Sequence, residues 1–165
     1  MIQYSVHPCA LGFVLVAASE RGLCAVSLGS DPDELVRSLQ DEYPQAKPAN
    51  GEIKQMADCV IRLIEDPTTP FDLPLDLRGT AFQQLVWQAL REIPPGETAT
   101  YSEIARRIGA PGAARAVGQA CAENRLAVVI PCHRAIRSDG GLSGYRWGLD
   151  RKRALLDLEA STIRL

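Results

Sequence analysis

The chain has 165 residues, of which 46% are hydrophobic and 23% charged, and its formal net charge is −2. This length and composition exclude a disordered chain, a collagen and a disulfide-dense mini-protein, and allow one domain or two small ones. The charge is divided unevenly, because residues 1–75 carry a net −6 and residues 76–165 a net +4. The arginine-rich second half could therefore face an anionic partner, although ordinary surface charge explains the pattern equally well.

The cysteines and the first residues of the chain indicate a reducing compartment. There are five cysteines, an odd number, and the opening segment MIQYSVHPCALG lacks the basic start and apolar stretch of a signal peptide. The apolar run from Leu126 to Pro131, like every other apolar run in the sequence, is far shorter than the ~20 residues of a membrane helix. We therefore expect free thiols, a cytoplasmic location and no membrane association.

The first half of the chain combines strand and helix patterns. Residues 2–28 contain short apolar runs typical of strands, with a tight turn at Gly22, and apolar residues later recur at helical spacing. The stretch 66–79 contains three prolines and no helical period. We place the boundary between two domains, 1–75 and 76–165, in this stretch. The predicted elements of the first half are strands over 13–19 and 23–28 and helices over 33–43 and 52–65.

The second half is predicted to be mainly helical. Two capping-box sequences, Thr80–Gln83 and Thr100–Glu103, each start a helix. The second of these helices ends at Gly109, and a turn over 110–112 leads into a further helix over 113–123. Two short helices joined in this way are typical of a helix-turn-helix, although many helical hairpins of this kind bind no DNA. A last helix is predicted over 151–160.

The helix over 113–123 combines small side chains with one long cation. Ala113, Ala114 and Gly118 lie on it beside Arg115. Small side chains allow a helix backbone to approach another surface closely, which suits tight packing against a second helix. They equally suit a helix that lies on a DNA groove and inserts one long side chain.

Cys132 and His133 follow an apolar run, 126–130, which we predict to be a buried strand. A neighbouring imidazole can help a thiol become the attacking thiolate. Adjacent side chains on extended backbone point to opposite sides, so we expect His133 to act through a water or a bend. Glu159 is a candidate for fixing the imidazole tautomer. The competing interpretation is that Cys132 is a small buried hydrophobe.

Other uses of these thiols are less well supported by their spacing. The two histidines and five cysteines contain no C-x₂-C pair and no H-x₃₋₅-H pair, so we expect no metal and no thiol–disulfide exchange. A Cys-His hydrolase would need an oxyanion hole, for which we find no motif. We expect no cofactor.

Several motifs together resemble the O6-alkylguanine-DNA alkyltransferases. The resemblance is carried by Ile130-Pro-Cys-His-Arg134, by RGTAFQQ over 78–84, and by Tyr101, Arg115 and Asn124. It is close over about residues 75–160 and loose over 1–70. The phrases LDLRGTAFQQ and LSGYRWG are especially similar to the C-terminal half of the bacterial adaptive-response proteins. Their zinc-binding phosphotriester-repair half is missing here, so we expect neither that activity nor a regulator function.

The resemblance implies a fold and a set of catalytic residues. The fold is an N-terminal α/β domain shaped like ribonuclease H, without its activity, followed by a mainly α domain with a helix-turn-helix. The family's nucleophile corresponds to Cys132, its water-relay histidine to His133, its orienting glutamate to Glu159 and its hinge asparagine to Asn124. Tyr101 matches the tyrosine that clashes with the 3′ phosphate and can protonate the base.

The resemblance also implies DNA-contacting and pocket residues. The finger that fills the gap left by a flipped base corresponds to Arg115, on a helix that enters the minor groove. Where some relatives have a serine after Tyr145, this chain has Arg146 and then Trp147, so tolerance of bulky alkyl groups is open. The remaining residues implied to contact DNA are Ala113, Ala114, Gly118 and Arg134, and those implied to form the substrate pocket are Pro131, Asn124, Tyr145 and Lys152.

The function implied is the direct repair of DNA. The alkyl group of O6-alkylguanine, and of O4-alkylthymine, would pass irreversibly to Cys132 in a single turnover, after the base is flipped out of the duplex. The expected partner is double-stranded DNA bound through the minor groove by a monomer, associated with the nucleoid. The alternative is a module of the same fold that binds or senses lesions without transferring the alkyl group.

Overall fold

The computed structural model describes residues 1–49, 51–142 and 144–163 and divides into two compact units. One unit contains residues 1–78 and 125–129, and the other contains residues 79–124 and those from 130 onward. The boundary between residues 75 and 76 stays a prediction about where independently folding domains divide. Among the described residues, no helix combines the length and apolar character needed to cross a membrane.

The first unit is a four-stranded sheet with two helices. The strand order is β3-β2-β1-β4, with antiparallel pairing except between β1 and β4, which are parallel. Helix α1 packs against β2 and β3, and α2 packs against β1 and β2. The predicted strands and helices are confirmed. Their bounds are β1 Gln3–Cys9, β2 Gly12–Ser19, β3 Gly22–Gly29, α1 Pro32–Glu42, β4 Lys47–Pro48 and α2 Gly51–Glu65.

The central strand β2 is buried along most of its length. Val14, Leu15, Val16 and Ala17 are all inaccessible, as expected for a strand covered on both faces. The turn before β3 needs Gly22, because its φ is +143° and a Cβ there would lie 2.3 Å from the Pro74 carbonyl oxygen. The predicted turn at this glycine therefore brings the proline-rich stretch alongside β3.

The second unit is mainly helical, and both predicted capping boxes are formed. Thr80 accepts from Gln83 and Thr100 from Glu103, and each partner side chain accepts the backbone N–H of its threonine in return. The Trp87 indole donates to the Ala120 carbonyl at 2.9 Å and ties two of the helices together. The elements are α3 Ala81–Arg91, β5 Ala99–Thr100, α4 Tyr101–Arg107, α5 Ala114–Ala122, β6 Ala135–Ile136 and α6 Leu149–Ile163.

Helices α4 and α5 pack against each other across a tight turn. Gly109 and Gly112 both have positive φ in this turn, +78° and +90°, so two short helices can be joined closely. The predicted helix-turn-helix geometry is therefore present.

The predicted strand over 126–130 is wrong. Only Leu126 bridges to β3, next to a hydrogen bond from Ala127 N to the Val26 carbonyl oxygen, and the chain then turns at Val128 with a φ of +69°. A short apolar run indicates that a segment is buried but does not determine its backbone conformation. Here the buried residues form a turn. Residues 132–134 are likewise not extended, because they form one turn of 3₁₀ helix.

Candidate active site

Asn124 holds the two ends of the segment that leaves the helical unit. Its backbone N–H donates to the Cys121 carbonyl at 3.2 Å, just beyond α5. Its side-chain Nδ2 donates to the Ile130 carbonyl at 3.0 Å and to Cys132 Sγ at 3.2 Å. Asn124 is fully buried. One side chain therefore fixes both the returning backbone and the sulfur that follows it.

The Cys132 thiol is almost inaccessible, with 4% of the residue exposed. Burial raises its pKa to about 11, against opposing contributions from the Asn124 hydrogen bond and the Lys152 charge. At neutral pH the resting group is therefore a thiol, and attack on an electrophile needs a base to take its proton.

His133 and Arg134, which directly follow Cys132 in the chain, form a buried cluster with Glu159. His133 Nε2 and Glu159 Oε2 lie 2.6 Å apart. Arg134 donates to Glu159 from Nε at 2.9 Å and from Nη2 at 2.9 Å, and its Nη1 donates to the Ile93 carbonyl at 2.6 Å. Glu159 also accepts the Gly96 N–H at 3.3 Å. The carboxylate therefore has partners on both oxygens.

The protonation states of this cluster follow from its electrostatics. Burial alone would raise the pKa of Glu159, but the hydrogen bonds from His133 and Arg134 outweigh it and lower the pKa to about 2. Burial lowers the pKa of His133, opposed by Glu159. An ionised carboxylate only accepts, so a neutral His133 carries its proton on Nε2. Its Nδ1, which has no hydrogen-bond partner among the described residues, is then the basic nitrogen.

Lys152 is a buried cation near Cys132 that does not border the cleft onto which this cysteine opens. It is fully buried and donates to the Ala135 carbonyl at 2.8 Å. Burial lowers its pKa, while Cys132 and Cys121 oppose that shift. A buried ammonium near the sulfur favours the thiolate. Lys152 is therefore an electrostatic neighbour of Cys132 and, contrary to the sequence prediction, it does not line the cleft.

A cleft of about 940 Å³ opens onto Cys132. Six of the predicted site residues border it: Tyr101, Ala114, Arg115, Gly118, Cys132 and Tyr145. Other predicted residues, Ala113, Pro131 and Asn124 among them, do not. The cleft residues that sequence reasoning missed include Ser102, Gln119, Cys121, Arg137 and Arg146. Helical spacing offered one signal, because Gln119 and Ala122 share a face of α5 with Arg115 and Gly118.

The prediction that Arg134 contacts DNA is corrected by its burial. Only 8% of the residue is exposed, and Nε, Nη1 and Nη2 all donate to Glu159 or to the Ile93 carbonyl. A guanidinium satisfied in this way is not available to a phosphate without breaking a buried ion pair. Arg134 instead holds the carboxylate that orients His133.

Two family models together match almost the whole chain. Residues 2–77 match the 6-O-methylguanine DNA methyltransferase, ribonuclease-like domain, and residues 81–161 match the 6-O-methylguanine DNA methyltransferase, DNA binding domain. The chain belongs to the 6-O-methylguanine DNA methyltransferase family. The expected resemblance and the expected fold, a ribonuclease-like domain followed by a helical DNA-binding domain, are confirmed.

Individual relatives align with most of the length of this chain. It is 53% identical over 161 residues to the Escherichia coli bifunctional transcriptional activator/DNA repair enzyme Ada, covering 96% of this chain and 46% of that protein. It therefore spans about half the length of that relative. A methylated-DNA–protein-cysteine methyltransferase of Mycolicibacterium paratuberculosis is 43% identical over 96% of this chain and 93% of its own length.

A solved structure shows the same fold in the presence of DNA. The Mycobacterium tuberculosis methyltransferase in complex with DNA has a TM-score of 0.80 and 40% identity, covering 98% of this chain and 93% of that one. The predicted likeness to methyltransferases thus extends from short motifs to the backbone of the chain.

Proposed function

We propose that this chain repairs DNA by moving the alkyl group of O6-alkylguanine, and of O4-alkylthymine, onto its own Cys132. The observation that carries the proposal is a thiol at a cleft wall, held by Asn124 and followed directly in the chain by a histidine that is paired with the buried Glu159. The family models and the named activities of the relatives support it.

The chemistry balances with one proton lost and one gained. His133 takes the thiol proton through a bridging water, and Glu159 stabilises the imidazolium that results. The sulfur then attacks the alkyl carbon, so that an S–C bond forms and the C–O6 bond breaks. The leaving guanine gains one proton, for which the Tyr101 hydroxyl on the cleft wall is the candidate donor. The Tyr101 phenolate then regains a proton from solvent and the His133 imidazolium releases one, so the sum is transfer of the thiol proton to guanine. Water does not cleave the thioether formed on Cys132, so the thiol is not regenerated and each protein molecule acts once.

DNA is the partner that this chemistry requires, bound through its minor groove by helix α5. Ala114 and Gly118 border the cleft, and a Cβ added at Gly118 would meet nothing within 4 Å, so this face of the helix is open to a close approach. In-line attack cannot reach a stacked base, so the nucleotide must flip into the cleft, with Arg115 filling the gap. We further propose that the protein acts as a monomer on the nucleoid in the cytoplasm.

Mass spectrometry tests the proposal directly. After incubation with a duplex containing one O6-methylguanine, we expect the intact mass to rise by one CH₂ unit, and peptide mapping to place the methyl group on Cys132. Cys132→Ser should take up no methyl group yet bind the duplex, while Cys59→Ser, on α2, should behave like the parent.

Two results would contradict the proposal in different ways. Binding of lesion DNA without any mass increase would favour the lesion-sensing alternative. Methylation of Cys121, which also borders the cleft, with Cys132 unchanged would show that the nucleophile is misassigned.

A further inference from the structure

Arg146 connects the loop after Gly144 to the residue that holds the nucleophile. Its Nη1 donates to the Asn124 carbonyl at 3.2 Å, and its guanidinium lies 5.8 Å from the centre of the Trp147 ring. Trp147 is itself buried, with 7% exposed. A hydrogen bond to a carbonyl and an aromatic neighbour together restrain a side chain that is otherwise exposed.

The carbonyl that Arg146 engages belongs to the same residue whose amide donates to Cys132. Asn124 lies where the chain leaves the helical unit for residues 125–129, so its carbonyl is at the start of that excursion. The Asn124 side chain also contacts the residues that follow this segment. Its Nδ2 group donates to the Ile130 carbonyl and to Cys132 Sγ. A guanidinium that fixes the carbonyl restricts rotation of the Asn124 backbone and with it the direction of the amide.

The charge of Arg146 acts in the same direction as this positioning. The guanidinium borders the cleft that contains Cys132. It opposes the effect of burial on the Cys132 pKa, although Asn124 and Lys152 oppose it more strongly. The contact and the charge both favour the sulfur as thiolate.

We propose that Arg146 is a positioning residue for the alkyl transfer proposed above, holding Asn124 so that its amide donates to Cys132 Sγ. This role rests on the proposed function, since it concerns the reactivity of the same thiol. The competing role is a phosphate contact, which an exposed arginine at the edge of a DNA-binding cleft could make equally well. The two roles differ in whether the thiol changes when no DNA is present.

Single-turnover kinetics gives the first test. With saturating protein and a duplex containing O6-methylguanine, Arg146→Ala should lower the maximal rate constant about tenfold, as expected for one lost charge-assisted hydrogen bond. The protein concentration at half-maximal rate should change less than the rate constant. Arg146→Lys, which keeps the charge and one donor, should restore part of the rate. The control is Arg153→Ala, because Arg153 is exposed on α6.

Alkylation of the thiol without DNA gives the second test. Iodoacetamide labelling of Cys132, followed by peptide mass spectrometry across pH, should show the Arg146→Ala profile displaced to higher pH and Arg153→Ala unchanged. This readout does not depend on alkyl transfer from DNA. If the parent fails to accept a methyl group, the proposed function fails, while the labelling profile still decides whether Arg146 controls the thiol.

A double-mutant cycle identifies the route through Asn124. If Arg146 acts through this residue, Arg146→Ala should displace the labelling profile clearly less in an Asn124→Ser background than in the parent, the remainder being the direct effect of its charge on Cys132. Thermal unfolding should show that each variant is folded. If Arg146→Ala does not fold, the same cycle is built with Arg146→Lys and Asn124→Ser. Labelling profiles of Arg146→Ala that overlay the parent, together with a loss of duplex affinity, would overturn the proposal in favour of a phosphate contact. Full additivity in the cycle would also overturn it.

Discussion

Glu159 Oε2 and His133 Nε2 lie 2.6 Å apart, with 3% and none of their side chains exposed. The Glu159 carboxylate also accepts hydrogen bonds from two nitrogens of Arg134. It therefore stays ionised, although burial alone would favour its protonated form. It therefore fixes the tautomer of the imidazole while being fixed itself by the guanidinium. These contacts form only when the helical unit is folded, so the basicity of His133 depends on that fold.

The first prediction concerns how the free energy of unfolding changes at acid pH. The folded-state pKa of Glu159 is about 2, below its ordinary value of 4.5. A depressed carboxyl pKa contributes stability that is complete above the unfolded value, so this contribution is lost as pH falls from about 4.5 toward 2. It is on the order of 3 kcal/mol. Urea unfolding should show Glu159→Gln destabilised at pH 7, with the difference from the parent shrinking toward pH 3.

The control for this experiment is Glu97→Gln, because Glu97 is an exposed glutamate of the same unit. It should unfold like the parent at both pH values. A Glu159→Gln difference that stays constant between pH 7 and pH 3 would show that the carboxylate contributes by packing alone. The pH–rate profile of alkyl transfer should also change in Glu159→Gln, since the relay would have lost its ionised member.

The second prediction separates a structural role of Arg134 from a DNA contact. Removing one partner of a buried ion pair leaves the other charge uncompensated, so Arg134→Ala should destabilise the protein by about 3–5 kcal/mol. Arg134→Lys cannot reproduce the paired contacts to Glu159 and should also destabilise it. Duplex affinity, measured by fluorescence anisotropy in the Cys132→Ser background, should stay near the parent value for Arg134→Lys.

Arg91→Lys is the matched control, since Arg91 is exposed at the end of α3. Its unfolding free energy should change by about 0.5 kcal/mol or less. A loss of duplex affinity in Arg134→Lys at unchanged stability would restore the original assignment of Arg134 to DNA.

The third prediction uses the open face of α5. Because a Cβ at Gly118 meets nothing within 4 Å, Gly118→Ala should stabilise the protein by about 0.5–1 kcal/mol through helix propensity. Gly118→Leu should fold as well but slow repair of duplex DNA, since its side chain would separate the helix from the groove. Thermal unfolding and duplex repair rates measure the two effects.

Ala116→Leu is the control on the same helix, because Ala116 is exposed but does not border the cleft. It should repair duplex DNA at close to the parent rate. Equal slowing by Ala116→Leu and Gly118→Leu would mean that the cleft side of α5 does not face the DNA.

The sequence predicts which residues meet at the candidate site better than it predicts their geometry. The order Cys132-His133, with Glu159 on the last helix, was available from motifs, and capping boxes fixed the starts of α3 and α4. The burial of Arg134 and Lys152 was not, because long cations are mostly exposed and only a tertiary partner shows otherwise. The turn at Val128 was missed because β-branched residues rarely adopt positive φ.

The last prediction separates base flipping from chemistry at Arg115. This side chain is exposed on α5 and borders the cleft. Extruding a nucleotide costs a few kcal/mol, and the base falls back unless something fills the gap. A planar guanidinium can stack on bases and donate to the orphaned partner. A simple phosphate contact is the competing role, and the two roles differ in how the effect of Arg115→Ala depends on substrate.

If Arg115 fills the gap, Arg115→Ala should slow repair strongly in duplex DNA and less in single strands. It should hardly affect the reaction with free O6-methylguanine base, which needs no flipping. Single-turnover rates on the three substrates measure this order. A phosphate contact would instead give a loss that high protein concentration restores, together with a salt slope shallower by about one unit. Equal loss on duplex and free base would contradict both roles, because a variant that slows the reaction with an already extruded base must have disturbed α5 or the thiol itself.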